Sequence, residues 1–189
     1  PVQASPAFTG RVGAFFSGGV DSFHTLLRNL DEITDLIYIH GFDVRLDDIP
    51  RRRMIDEMGK AVAKATGKRF IRIESNFGKI IQEYGLWALH GGGLALEAAG
   101  RVLQGYVDRI FISEDMTFQD LKPWSLHPAT VPLFGDEALS MILYGSDATR
   151  AEKVEYISGN DLAMQHLRVC WERVEGKYNC GECEKCFRT

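Results

Sequence analysis

Four short strand-like runs, residues 11–16 (RVGAFF), 35–43 (DLIYIHGFD), 68–75 (KRFIRIES) and 108–115 (DRIFISED), alternate with segments of helical spacing. That alternation limits the fold more than any other feature. A strand that is apolar along its length needs cover on both faces, which a parallel sheet with crossover helices supplies. The spacing of Phe23, Leu26, Leu27 and Leu30 predicts a helix after the first run, starting near Asp21 or Ser22. A second is expected over 49–67, with Met54, Met58, Ala61, Val62 and Ala65 on one face, Asp48 as its cap, Pro50 in its first turn and Gly67 at its end. Helical segments are also expected over 78–90, 94–104 and 149–159, residues 138–145 (ALSMILYG) read equally as helix or strand, and 164–171 (MQHLRVCW) reads as a last short strand. The expected class is therefore α/β: a Rossmann-like parallel sheet with helices on both faces and right-handed crossovers.

With 189 residues, 45% of them hydrophobic, the chain suits one sizeable core, and no linker or repeat divides it, so residues 1–189 are read as a single domain. Against 22 Lys and Arg stand 26 Asp and Glu, a formal charge of −4, and so acidic a balance does not draw a nucleic acid by bulk attraction. No apolar stretch approaches the roughly 20 residues of a membrane span, and the opening PVQASPAFTG lacks a basic start and an apolar core. A soluble, cytoplasmic protein is expected. The chain begins on Pro1 and stops three residues after its last cysteine, so both ends read as trimmed.

Between the first strand and its helix stands Ser17-Gly18-Gly19-Val20-Asp21-Ser22. Gly18 and Gly19 let backbone N–H groups turn inward as a nest, the following helix adds its positive end, and Ser17 and Ser22 add hydroxyl donors. A carboxylate at Asp21 repels a bare phosphate, but suits a Mg²⁺ ion that bridges carboxylate and phosphate oxygens. Two glycines with Asp21 as a helix cap are the plainer alternative. The six-residue string in its strand–turn–helix setting resembles the PP-loop of N-type ATP pyrophosphatases, and it lacks the Gly-Lys-Ser/Thr end of a Walker A loop.

That resemblance implies an adenine nucleotide alpha hydrolase-like fold whose loop, Ser17 to Ser22, holds the pyrophosphate part of ATP. A substrate oxygen attacks the α-phosphorus, and a nitrogen or sulfur nucleophile then displaces AMP. Arg150 and Lys153 resemble a basic position late in that fold that reaches the phosphates; a solvated helix face with Glu152 and Glu155 as partners is the alternative. The resemblance also places adenine against the backbone at Tyr38 to His40, with a buried His40 bonded to main chain as the plainer reading.

All four cysteines, Cys170, Cys180, Cys183 and Cys186, lie in the last twenty residues. Four thiolates are what a closed tetrahedral zinc site needs. Lys177, Lys185, Arg173 and Arg188 stand near enough in sequence to offset their charge, and an iron–sulfur centre or free thiols are the alternatives. A glycine turn of this type in front and C-x9-C-x2-C-x2-C behind together resemble the 7-cyano-7-deazaguanine synthase family. This implies adenylation of a small carboxylate or carbonyl substrate, transfer to ammonia or an amine, cofactors ATP, Mg²⁺ and Zn²⁺, and a homodimer. Residues 113–128 (SEDMTFQDLKPWSLHP) stand where that family carries a Tyr-Pro-Asp-Cys-Arg type segment, and contain no cysteine. Two other readings are a tRNA sulfur transferase of the same superfamily and a nucleotide-binding module without chemistry.

Trp124, Ser125, His127 and Pro128 are candidate substrate contacts in a loop at the ligand edge. Glu114 and Asp115 are candidates to join Asp21 around Mg²⁺, or else they cap the next turn. His90 with Gly91 to Gly93 suggests a second anion-binding turn or simply a break between helices. Arg51 to Arg53 read as a solvated helix start or as a cover over a negatively charged ligand.

Overall fold

Strands β1 (Val12–Phe15), β2 (Asp35–His40), β3 (Arg69–Glu74), β4 (Arg109–Ser113) and β5 (Ser140–Tyr144) pair in the order β3-β2-β1-β4-β5, every pair parallel. The structure, a computed structural model, describes residues 8–170, 172 and 177–189. Alternate strand residues face opposite cores, because side chains on a strand repeat every second residue. Ala14, Leu36, Tyr38 and Phe111 join one core, packed against Phe23 and Leu26 of α1 (Val20–Arg28), Ile55, Met58 and Val62 of α2 (Ile49–Thr66), Ile157 of α5 (Arg150–Ser158) and Ala163 of α6 (Asp161–His166). Phe15, Ile37, Ile39, Ile110, Ile112 and Met141 join the other, under Leu96, Ala99 and Leu103 in and beside α4 (Gly92–Val102) and Val131 of the 3₁₀ turn Val131–Phe134. The expected α/β class, with helices on both faces, is the class observed.

Local signals decide most element boundaries. Asp48 accepts the Arg51 N–H at the start of α2, Pro50 stands in its first turn, and Gly67 closes it. Thr149 and Glu152 form a reciprocal capping box at the start of α5. The ambiguous run 138–145 is β5, the sheet edge beside β4.

Two expectations are corrected. Residues 167–170 form no strand: Met164 to His166 complete α6, and the chain then crosses the carboxyl end of β1. Trp171, the end of that expected strand, lies outside the described residues, as do residues 1–7 of the opening stretch. The triple glycine does not break the chain. After α3 (Phe77–Tyr84), Gly91 ends a π turn (Trp87–Gly91), and Gly92 and Gly93 begin α4. A Cβ at Gly93 would lie 2.2 Å from the Ser125 carbonyl oxygen, so glycine is what lets helix and loop meet. His90 Nδ1 accepts the Leu86 N–H and is thereby occupied locally. No helix among the described residues is long and apolar enough to cross a membrane.

Candidate phosphate site and metal centre

The glycine turn sits at the carboxyl end of β1, where the chain leaves for β2 on one side and the sheet continues to β4 on the other. Parallel α/β sheets take ligands at such a divergence. Gly18 has φ +76°, a conformation that favours glycine, and a Cβ there would also push the flexible Met58 methyl, 2.7 Å away, aside. The Gly19 N–H reaches Ser17 Oγ at 3.3 Å, and the Ser22 hydroxyl donates to the Gly19 carbonyl at 3.0 Å. A hydroxyl pair between Thr25 and Ser113, 2.8 Å apart, ties α1 to β4 beneath.

The capping box at Thr149 sets the first turn of α5 so that Arg150 and Lys153 face this loop. Lys153 is 0% exposed, with Nζ donating to Asp21 Oδ1 at 3.2 Å and to the Glu114 carbonyl at 2.5 Å. Arg150 Nη1 reaches Asp21 Oδ2 at 3.2 Å. The solvated-face alternative is overturned, since Glu152 is spent on the cap. Asp21 thus faces two cations, which offset its charge.

Glu114 does not join it. Its Oε1 accepts the N–H groups of Asp115 and Met116 at 2.9 and 3.1 Å, capping its own turn, and burial pushes its carboxyl up to about 7. Among the described residues, the only three or more His, Cys, Asp or Glu side chains close enough to share an ion are the four cysteines. Glu114 thus follows the alternative reading, a cap on the next turn.

A hollow of about 130 Å³ opens over the loop, walled by Ser17, Gly19, Val20, Asp21, Asp43, Arg150, Arg168, Val169, Cys170 and Lys185. The segment that carries the cysteines forms its far wall. The Arg168 N–H donates to the Gly18 carbonyl at 2.7 Å, and its guanidinium bonds Asp43, with Nη1 at 2.5 Å from Oδ2. Burial, and next the Arg150 charge, pull the Lys185 ammonium below the ordinary lysine range. Sequence reasoning gave Arg168 no role and gave Lys185 a different one. The available signal was position, because Arg168 precedes Cys170 by two residues and Lys185 lies between Cys183 and Cys186.

The four sulfurs lie within 4.8 Å of one another, with Cys170 to Cys183 and Cys180 to Cys186 each at 3.7 Å. Four sulfurs about 2.3 Å from a tetrahedral zinc stand about 3.8 Å apart, so the quartet fits one such ion. A multi-iron cluster, whose thiolates bind different irons, needs a wider spread. Backbone donors meet the sulfurs: Glu172 N–H at Cys170, and Glu182 and Cys183 N–H at Cys180. The Glu182 N–H first, then that of Cys183, bring the Cys180 thiol down to about 6. The expected offset by nearby basic side chains is otherwise directed, since Lys177 pairs with Glu182, Arg188 with Glu184, and Lys185 lines the hollow. Arg173 lies outside the described residues. Asn179 locks the segment by accepting the Val169 and Cys170 N–H groups and donating to the Leu167 carbonyl.

A larger hollow of about 480 Å³ adjoins the first, sharing Ser17, Gly19, Asp21, Asp43 and Lys185, and adding Ser22, Tyr38, Ile39, Phe42, Trp87, Leu96 and Ser113. The Phe42 and Trp87 rings meet edge to face at 5.2 Å. Tyr38 is where a nucleotide base was expected; burial raises its phenol above the ordinary range, and its hydroxyl has no partner among the described residues. His40 is absent from this lining: its ring is buried and Nε2 meets Asp56 Oδ1 at 2.9 Å, in place of the expected main-chain partner. Trp124, Ser125, His127 and Pro128 line neither hollow. Ser125 instead bridges Gly93 N–H and the Ala88 carbonyl. Arg51 and Arg52 are not a solvated start, for Arg51 donates to the Glu172 carbonyl and Arg52 to the Leu46 carbonyl and Glu74. Compared with known protein families and with curated proteins, the chain matches no family model and no curated relative.

Proposed function

We propose that this chain is an AMP-forming, ATP-dependent ligase or synthase of the PP-loop type, similar to the 7-cyano-7-deazaguanine synthase family. The observation that carries this reading is a glycine turn at the switch in strand order, faced by Arg150, Arg168 and Lys185 and open to an aromatic hollow. ATP lies with its outer phosphates over Ser17 to Ser22 and its base toward Tyr38. An oxygen of a small carboxylate or carbonyl substrate bonds to the α-phosphorus as the α–β bridging bond breaks, and pyrophosphate leaves. Ammonia or an amine then attacks the activated carbon, and AMP departs with the oxygen. The protein's share is to hold these groups in line and to neutralise the separating charge. Arg150 does so at the rim, while Lys153 holds Asp21 from below. Mg²⁺ brought by the nucleotide would lower the charge on its phosphates. Cys170, Cys180, Cys183 and Cys186 would hold zinc, which would supply a structural constraint.

A sulfur-transfer role is the weaker reading, because all four cysteines converge on the quartet and none is left to carry sulfur. The test mixes protein, ATP, Mg²⁺ and a panel of small carboxylic acids with ammonia, and follows pyrophosphate. An acid-dependent burst of pyrophosphate with matching AMP is expected, abolished by Asp21→Asn. Tight ATP binding without turnover across the panel makes the chain a binding module instead, and no affinity for ATP overturns the reading. Gel filtration with light scattering tests the homodimer that the resemblance implies.

A further inference from the structure

We infer that Arg168 and Lys185 are anion-binding residues for the pyrophosphate end of a nucleotide, and that the metal in the cysteine quartet is what positions them. This rests on the phosphate site proposed above and assigns it two more residues. Arg168 is 8% exposed, at the mouth of the hollow, and its backbone N–H is bonded to the Gly18 carbonyl of the loop itself. Lys185 enters the same hollow from the five-residue turn of helix Glu184–Arg188. Around the loop, four cations, Arg150, Lys153, Arg168 and Lys185, stand with the carboxylates Asp21, Asp43 and Asp115, a charged frame in which an incoming phosphate competes for the cations.

The two pairs of cations are held by different means. Arg150 and Lys153 stand on a capped helix packed into the core. Residues 167–170 belong to no helix or strand; Leu167 and Val169 rest on the core, the Arg168 N–H meets Gly18, and Asn179 and the sulfur of Cys170 complete the anchoring, while Lys185 lies between two further sulfurs. Withdrawing the ion frees four thiolates that repel one another, so the far wall moves while the near wall stays. The Asp43 carboxylate holds Arg168, and an incoming phosphate competes for the same guanidinium, whose planar fork matches either anion.

The experiment is calorimetric titration of inorganic pyrophosphate and of AMP into the zinc-loaded chain, its chelator-stripped form, and zinc-loaded Arg168→Ala, Lys185→Ala and Asn179→Ala. Lys177→Ala serves as control, since it removes a charge nearby but outside the hollow. Circular dichroism reports the fold of each. Loss of one charged hydrogen-bonding partner weakens binding by roughly tenfold or more. We expect such a loss for pyrophosphate in Arg168→Ala and in Lys185→Ala, a loss at least as large on stripping, a smaller one in Asn179→Ala, and none in Lys177→Ala. AMP binding is expected to change less than pyrophosphate binding throughout. Pyrophosphate affinity within twofold of the parent chain in both Arg168→Ala and Lys185→Ala overturns the assignment. Weakened alanine variants with unchanged stripped protein and Asn179→Ala overturn the metal's part; if stripping unfolds the chain, zinc-loaded Asn179→Ala decides. Failure of the zinc-loaded parent to bind pyrophosphate at all removes the phosphate site itself, an outcome distinct from the other two.

Discussion

Lys153 and Glu97 are each 0% exposed, one at the carboxyl edge of the sheet and the other on the packed face of α4, and their surroundings are opposite. The ammonium of Lys153 has a carboxylate and a carbonyl within hydrogen-bonding reach, and a second cation shares that carboxylate. Neither oxygen of Glu97 has a partner among the described residues, and burial alone pushes its carboxyl up to about 7. A buried charge with partners fixes geometry; a buried acid without them makes stability depend on pH. The first kind marks the candidate site, the second its distant support.

The largest expected effect removes the partnered charge. Lys153→Met leaves the Glu114 carbonyl without its donor and Asp21 with Arg150 alone, and should destabilise the fold by about 3 kcal/mol in urea unfolding. A loss under a third of that would mean the pair is far better solvated than its burial implies. Next, Gly93→Ala pushes a methyl toward the Ser125 carbonyl one turn before Glu97, at a cost of about 2 kcal/mol. No change there would show the face of α4 to be loosely packed.

Glu97→Met tests the unpartnered acid directly. Because the folded group ionises at a higher pH than the unfolded one, the protonated form is the tolerated one. Its contribution is intact below about pH 4.5 and is lost as pH rises through about 7. The variant should therefore melt roughly 3 °C above the parent at pH 8 and nearer to it at pH 5. Glu114, raised in the same direction, keeps part of the slope in the variant. An equal shift at both pH values would mean that Glu97 ionises at the same pH folded and unfolded, so that burial does not raise it. Smallest of all, Arg45→Ala removes an ion pair whose two side chains are 59% and 66% exposed, and thermal melting should not detect it.

Much of the architecture was legible because it is written locally. Apolar runs, helical spacing, Asp48, Pro50 and Gly67 each act within a few residues of the element they shape. The glycine turn was legible for the same reason. What escaped depends on partners far apart in the chain. Arg168 meets Asp43 across 125 positions, and the apolar, extended pattern of 167–170 suggested a strand because nothing in it says that no sheet edge is within reach. Gly92 and Gly93 looked like a break, since the Trp87 ring and the Ser125 backbone that demand them are invisible in a one-dimensional reading. The counter-charges of Asp21 escaped on similar grounds, since Arg150 and Lys153 of α5 stand far along the chain from it.

The bond from Arg168 to Gly18 joins residues far apart in the sequence over one loop. On the ribosome, the glycine turn emerges long before the residue that reaches it, so a growing polypeptide carries one wall of the hollow for some time before the opposite wall exists.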